Sequence, residues 1–188
     1  MENYHVAREL AREASSSNRK MVASAFVERR WQNLRHVGAK SRANRDVTTL
    51  AVRQEGRALR FAGKALRSDF DLVMKAVRNN GLALEYACQA LRGNKVVVME
   101  AVVQNGLALE FASEKMKKDR DIVVAAALSN MKSLLYADQD LIEDDTLIKE
   151  TVNRSVNKLW GTELEYGALD ASSPSALIDQ YVRDAYNL

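Results

Sequence analysis

Apolar residues return at the same positions every 25 residues from residue 44 onward. Val47, Leu72, Val97, Ile122 and Leu147 form one column, and Ala51, Ala76, Ala101 and Ala126 form another. Leu59, Leu84, Leu109 and Leu134 follow, then the aromatic positions Phe61, Tyr86, Phe111 and Tyr136. Ala62, Ala87, Ala112 and Ala137, and then Leu66, Leu91, Met116 and Leu141, complete the apolar set. One polar column runs beside them: Asn44, Asp69, Asn94, Asp119 and Asp144. Two stretches repeat almost verbatim, VRNNGLALEYACQAL and VVQNGLALEFASEKM. So many aligned columns mark an internal repeat.

Each column has a physical reason. Asn or Asp at the start of a unit is a good helix N-cap, because its side chain accepts from backbone N–H groups that have no intrahelical partner. Leu72, Val73, Ala76 and Val77 then form one apolar stripe, which predicts a helix of about three turns. Asn80-Gly81 and Asn105-Gly106 are expected to end it, with glycine closing the helix in the left-handed conformation. A second helix is predicted over roughly Leu82 to Leu91, its alanines permitting close helix approach. The alternation in LALEY also suits the strand of a leucine-rich repeat. However, the first alternating position reads Arg57, Leu82, Leu107, Lys132, and alanine, poor in strands, is retained at helical spacing. The helical reading is preferred.

The pattern fades outward. Val22, Phe26, Val27, Leu34 and Val37 fit a degenerate upstream unit, with Trp31 in the glycine position and His36 in the aromatic one. Met131 replaces the turn glycine in the last full unit, so Asn130 is expected to build that turn. Leu147, Ile148, Val152 and Leu159 begin a further unit that loses register at Trp160-Gly161. The fold class predicted is all-α: a short α-solenoid of two-helix 25-residue repeats with atypical capping helices at both ends, as terminal repeats require. The repeat domain is expected over 1–160. It divides into a cap helix at 3–15, a degenerate unit at 18–43, repeats at 44–68, 69–93, 94–118 and 119–143, and a partial unit at 144–160. An extension at 161–188 carries one helix, with Ser173 as N-cap and Pro174 at its first position.

The units DFDLVMKAVRNNGLALEYACQALRGN and NKVVVMEAVVQNGLALEFASEKMKKD resemble the helical repeat of domain-of-unknown-function family 4116. The likeness covers about residues 44–145. It implies a tandem intracellular helical module and brings no activity with it.

Composition changes this picture little. Of 188 residues, 47% are apolar and 28% charged, as in a folded protein. The single cysteine, Cys88, excludes an internal disulfide and fits a reducing compartment. No apolar run approaches the roughly 20 residues that span a bilayer. The first 20 residues lack a secretory apolar core, and Glu2, Glu9 and Glu13 speak against a transit peptide. The expectation is therefore an intracellular, by default cytoplasmic, protein. Charge matters more: residues 1–67 hold 15 Lys/Arg against 6 Asp/Glu, and residues 68–188 hold 13 against 19.

Catalysis requires convergent polar groups, and the candidates here are dispersed. His5 and His36 have no partner spacing, and His36 is expected to be partly buried in its aromatic column. Cys88 shares a column with Gly63, Ser113 and Asp138, which suggests a tolerant, solvent-facing position. No zinc signature, phosphate loop or calcium hand is present; the acidic run DQDLIEDDT is read as a solvated N-cap region around Asp144 or Asp145. No enzyme, cofactor, metal or small-molecule substrate is expected.

The informative surface feature is basic. Arg57, Arg60, Lys64 and Arg67 are spaced to share one helix face. Their counterparts in the next unit are Leu82, Glu85, Gln89 and Arg92, so the fold does not demand these cations. Arg35 and Arg42 fall beside them, with Arg53 nearby. In the extension, Leu177, Tyr181 and Tyr186 are a second candidate contact. The function expected is a non-catalytic protein–protein interaction module, or a scaffold or accessory subunit of a larger assembly. Its partner would be a protein with an acidic surface. An RNA- or ribonucleoprotein-associated role through the basic amino-terminal third is the alternative. It fits less well, because the cations of this stripe stop after the first full repeat and the aromatics are committed to the core.

Overall fold

The computed structural model describes residues 16–144 together with 146, 147, 149–151 and 154. The cap helix expected at 3–15, the extension with Leu177, Tyr181 and Tyr186, and positions Ile148, Val152 and Leu159 lie outside the described residues. Every element in the described part is helical, with no strand among those residues, which removes the leucine-rich alternative. Five long helices run in order: α1 (Ser16–Arg29), α2 (Arg45–Gln54), α3 (Phe70–Asn79), α4 (Lys95–Gln104) and α5 (Arg120–Ser129). Successive long helices pack against one another, and the segments that follow them pack side by side in a second layer. The result is a short helical solenoid.

The predicted N-caps form. Asn44, Asp69, Asn94 and Asp119 each accept from backbone N–H groups two or three residues on. Asp144 accepts from Thr146 N–H at 2.9 Å, so it, and not only the acidic run around it, caps the last start site. The apolar columns then face inward: Val47, Leu72, Val97, Ile122 and Leu147 are all buried, as are the alanines one turn on. Each fully buried leucine of the 59/84/109/134 column contributes on the order of 2 kcal/mol. Phe61, Tyr86, Phe111 and Tyr136 occupy matching half-buried sites against this core.

The second helix differs from expectation. Each unit continues as a six-residue 3-10 segment, Gly56–Phe61, Gly81–Tyr86, Gly106–Phe111 or Met131–Tyr136, which is long for that geometry. Two extended residues follow in the second unit, Ala87 at φ −69, ψ 155 and Cys88 at φ −64, ψ 159. Only then does a single α-turn form, Gln89–Arg92, repeated as Glu114–Lys117 and Gln139–Ile142. The interruption has a cause. Cys88 N–H donates to the Arg67 carbonyl of the preceding unit at 2.9 Å, and Gly63, Ser113 and Asp138 make the same bond to Arg42, Arg92 and Lys117. An N–H spent between units cannot also serve a continuous helix. The column expected to be tolerant and solvent-facing is thus the backbone stitch of the solenoid, and Cys88 is half-buried.

The glycines also act differently from the expectation. The chain leaves each long helix through an extended residue, Glu55, Asn80, Asn105 or Asn130, at φ near −152 to −154. That residue's side chain accepts from the N–H two residues later. None of Gly56, Gly81 and Gly106 is in the left-handed region. A Cβ on each would instead lie 2.2, 2.3 and 2.2 Å from the carbonyl oxygens of Ala76, Ala101 and Ala126 in the next unit. Glycine is required by the closeness of adjacent units. Asn130 builds the same turn before Met131, as expected, and there the facing position is the larger Thr151.

Candidate docking surface

Six of the seven basic residues singled out from the sequence divide into two groups, and Arg53 stands apart from both. Arg57 and Arg60 lie three apart in a 3-10 segment, one full turn, and so share a face. Both are exposed, as are Lys64 and Arg35. Arg67 is half-buried, and a break in the helix separates it from Arg57 and Arg60. Contrary to the expectation, the four residues do not share one helix face; three of them and Arg35 form the exposed group. Arg53 is exposed at the end of α2, where its carbonyl accepts from Asn79 Nδ2 at 3.3 Å.

Aromatic rings anchor the exposed group. The guanidinium carbon of Arg60 lies 4.9 Å from the Phe61 ring centroid and 5.9 Å from that of Tyr86. Arg57 Nη2 donates to the Tyr86 hydroxyl at 3.4 Å. That bond, with the carboxylates of Glu85 and Glu55 nearby, holds the Arg57 pKa above its ordinary value. These contacts limit the freedom of both side chains while leaving their charge facing water. Arg35 Nε donates to His36 Nε2 at 2.6 Å, and His36 is exposed, not partly buried. Slight desolvation and the Arg35 charge hold its pKa below the ordinary histidine value.

The second row was missed by reading along one unit. Arg42 and Arg67 stand in register with Arg92 and Lys117, at the end of each short turn, in all four units. Their carbonyls take the stitching N–H groups. The Nε atoms of Arg42, Arg67 and Arg92 are buried and have no hydrogen-bond partner among the described residues. Lys117 pairs with Glu114 at 2.9 Å. Basic character therefore does continue beyond the first full repeat, along a column visible only when the units are stacked.

Elsewhere the charges serve the frame. Arg45 bridges Asp69 at 3.0 Å and Asp71 at 3.3 Å in the next unit, and Lys95 does the same to Asp119 and Asp121 at 2.9 and 2.8 Å. Arg120 pairs with Asp144 and Glu150, and Lys20 with Asp46. Burial pushes the Asp69 and Asp119 carboxyls up. Backbone N–H donors and the facing cations outweigh it, leaving both below the usual carboxylate value. Between Arg45 and Lys95 the same column holds Phe70, and the two carboxylate columns there read Asn94 and Val96, so that step has no charges to pair.

The catalytic and metal candidates gain no support. Burial pushes the Cys88 thiol up, while the Ser68 hydroxyl and nearby backbone N–H groups bring it below its ordinary value. The thiol sits at a unit junction, not in a cleft with a histidine. No group of three or more His, Cys, Asp or Glu among the described residues is placed to hold a metal ion. No described helix is long and apolar enough to cross a membrane.

The repeat frame agrees with a family model, that of the domain of unknown function DUF4116, which matches residues 44–92 and again 97–142, about half of the chain. The chain belongs to the DUF4116 family. Each DUF4116 match spans two 25-residue units, so the family's module is a pair of the structural repeats. Asn94 and Val96, which stand in the columns of the Asp69/Asp71 and Asp119/Asp121 carboxylates, fall between the two DUF4116 matches, whereas the Arg45 rung lies inside the first. No curated protein and no solved structure matches the chain.

Proposed function

We propose that this chain is a non-catalytic interaction module, a scaffold or accessory subunit that docks a protein with an acidic surface. One observation carries the reading. Arg57, Arg60 and Lys64 are exposed at positions where the same frame, one unit later, holds Leu82, Glu85 and Gln89. Their charge is not needed for folding, and together with Arg35 they concentrate cations on one end of the 3-10 layer. Such a patch steers and orients an acidic partner more than it adds affinity. The test replaces Arg57→Leu, Arg60→Glu and Lys64→Gln, which grafts the second unit's own residues onto the first. Proteins that co-purify with the native chain after nuclease treatment should be lost from this variant. Retention of the same partners would dismiss the reading.

A second reading is favoured by the row Arg42, Arg67, Arg92 and Lys117, one half-buried cation per unit over four successive units. It suits the backbone of a single-stranded RNA. If all four cations contact phosphates, log affinity against log salt should fall with a slope of about −3. Arg67→Glu with Arg92→Glu should then abolish binding in an anisotropy titration. A flat salt response would leave the protein-docking reading alone.

A further inference from the structure

We propose that the row Arg35, Arg60, Glu85 and Glu110 is a two-fold interface, and that the partner it recognises is a second copy of this chain. The inference rests on the 3-10 layer being a docking surface, and it names an occupant for it.

The four residues hold one and the same place, the fifth residue of successive 3-10 segments. All four are exposed. Because those segments pack side by side, the side chains form a row of charges in the order plus, plus, minus, minus, which the exposed Leu135 of the next segment ends. That order is its own complement when reversed. A two-fold axis between Arg60 and Glu85 sets Arg60 opposite Glu85 of the partner subunit and Arg35 opposite Glu110 of the partner subunit. The remaining two pairs follow by symmetry, which is the defining property of an isologous contact.

The register is fixed by repulsion as much as by attraction. Moving the axis by half a unit step, onto Arg60 or onto Glu85, places two like charges face to face. A parallel pairing in register sets arginine against arginine at two positions and glutamate against glutamate at the other two, like charges along the whole row. In the neighbouring column, the two-fold sets Arg57 opposite Leu82 of the partner subunit, so no like charges meet there. The half-buried rings of Phe61 and Tyr86 flank the axis and supply apolar area at the centre.

Within the described residues these side chains touch aromatic rings or near neighbours and leave their charge unpaired by an opposite one. Among the described residues, none of Arg35, Arg60, Glu85 and Glu110 forms an ion pair, whereas Arg45, Lys95 and Arg120 on the helix starts each bridge to carboxylates. The column accepts either sign without loss of fold, since arginine and glutamate both occur in it. Charge reversal therefore gives clean variants.

The experiment is sedimentation velocity on the full chain across micromolar concentrations, at low and high salt. The wild type should reach twice the monomer mass, no more, and dissociate as salt screens the pairs. Arg35→Glu with Arg60→Glu makes the row wholly acidic, and Glu85→Arg with Glu110→Arg makes it wholly basic. Each variant alone should be a monomer with unchanged circular dichroism, and an equimolar mixture should regain the dimer. A wild type that stays monomeric, variants that dimerise alone, a mixture that does not associate, or mass growing past two copies would each overturn the proposal. The docking reading is separable from it. A monomeric wild type whose acidic partner is lost with Arg57→Leu, Arg60→Glu and Lys64→Gln keeps that reading and removes the second copy.

Discussion

The interior junctions of the solenoid and its last junction use the same columns with different residues. Inside, Gly56, Gly81 and Gly106 each face an alanine carbonyl at a distance that excludes a Cβ. At the last junction the same two columns hold Met131 and Thr151, and elsewhere along that junction a solvent-open pocket of about 220 Å³ is lined by charged Arg120, Asp121, Glu150 and Arg154 with Val124 and Leu128. The polar bridge changes too. Asn79 accepts from Gly56 N–H at 2.6 Å and donates to the Arg53 carbonyl, Gln104 does the same for Gly81 and Asn79, and Ser129 for Gly106 and Val103. The next residue in that column is Arg154, which pairs with Glu150 instead. At the three glycine junctions close approach and side-chain bridging go together. At the first junction, where Trp31 holds the glycine position, Gln54 still donates to the Val27 and Glu28 carbonyls, so it is the last junction, with Arg154 turned to Glu150 of its own unit, that departs from the pattern.

The comparison can be broken most severely at the glycines. Gly81→Ala or Gly106→Ala forces backbone apart at an interior junction and should cost about 3 kcal/mol in urea unfolding, the upper part of the usual overpacking range. Met131→Ala, at the same position in the last junction, trims a half-buried side chain without forcing backbone apart and should cost about 1 kcal/mol. Equal losses at both sites would mean that the interior junctions are no closer than the last.

A smaller effect is expected from the bridges. Gln104→Ala leaves the Gly81 N–H without its partner, and Asn79→Ala does the same to Gly56. Each should destabilise by about 2 kcal/mol, the cost of an unmet buried donor. Ser129→Ala removes a bond of 3.1 Å at the edge of the regular array and should cost less, about 1 kcal/mol. The order of the three losses is the checkable outcome. A larger loss at Ser129 would reverse the comparison.

The smallest effect is electrostatic. Asp69→Asn with Asp119→Asn keeps both N-caps, since Asn44 and Asn94 already serve, and removes only the rungs to Arg45 and Lys95. At neutral pH the cost should be a few tenths of a kcal/mol, as for exposed ion pairs. Both carboxyls titrate below their ordinary value in the folded chain. Their contribution is therefore complete above about pH 4, the unfolded value, and is lost as pH falls through the folded one. The double variant should lose less stability than the wild type over that acid window. Parallel pH profiles would show the rungs to be inert.

The frame was legible from the sequence because it rests on side-chain type. A buried leucine column and an Asn/Asp cap column each demand particular residues, and both are where the spacing placed them. The stitch from Cys88 to the Arg67 carbonyl was not legible, since a backbone N–H leaves no mark on residue choice: glycine, cysteine, serine and aspartate all serve. For the same reason the helix expected over 82–91 was drawn straight through it. The glycines were correctly placed at the turns and given the wrong reason, because close approach and left-handed backbone select the same residue. The Gln54, Asn79, Gln104 and Ser129 bridges escaped notice because the residue type varies down the column. The Arg42–Lys117 row needed only a reading across units instead of along one.

The separation of frame from surface is tested most directly by urea unfolding of the chain carrying Arg57→Leu, Arg60→Glu and Lys64→Gln. The account expects an unfolding free energy within about 1 kcal/mol of the wild type, the difference coming from the lost contacts to Phe61 and Tyr86. A loss as large as that of Gly81→Ala would contradict it, by showing that these cations hold the solenoid together.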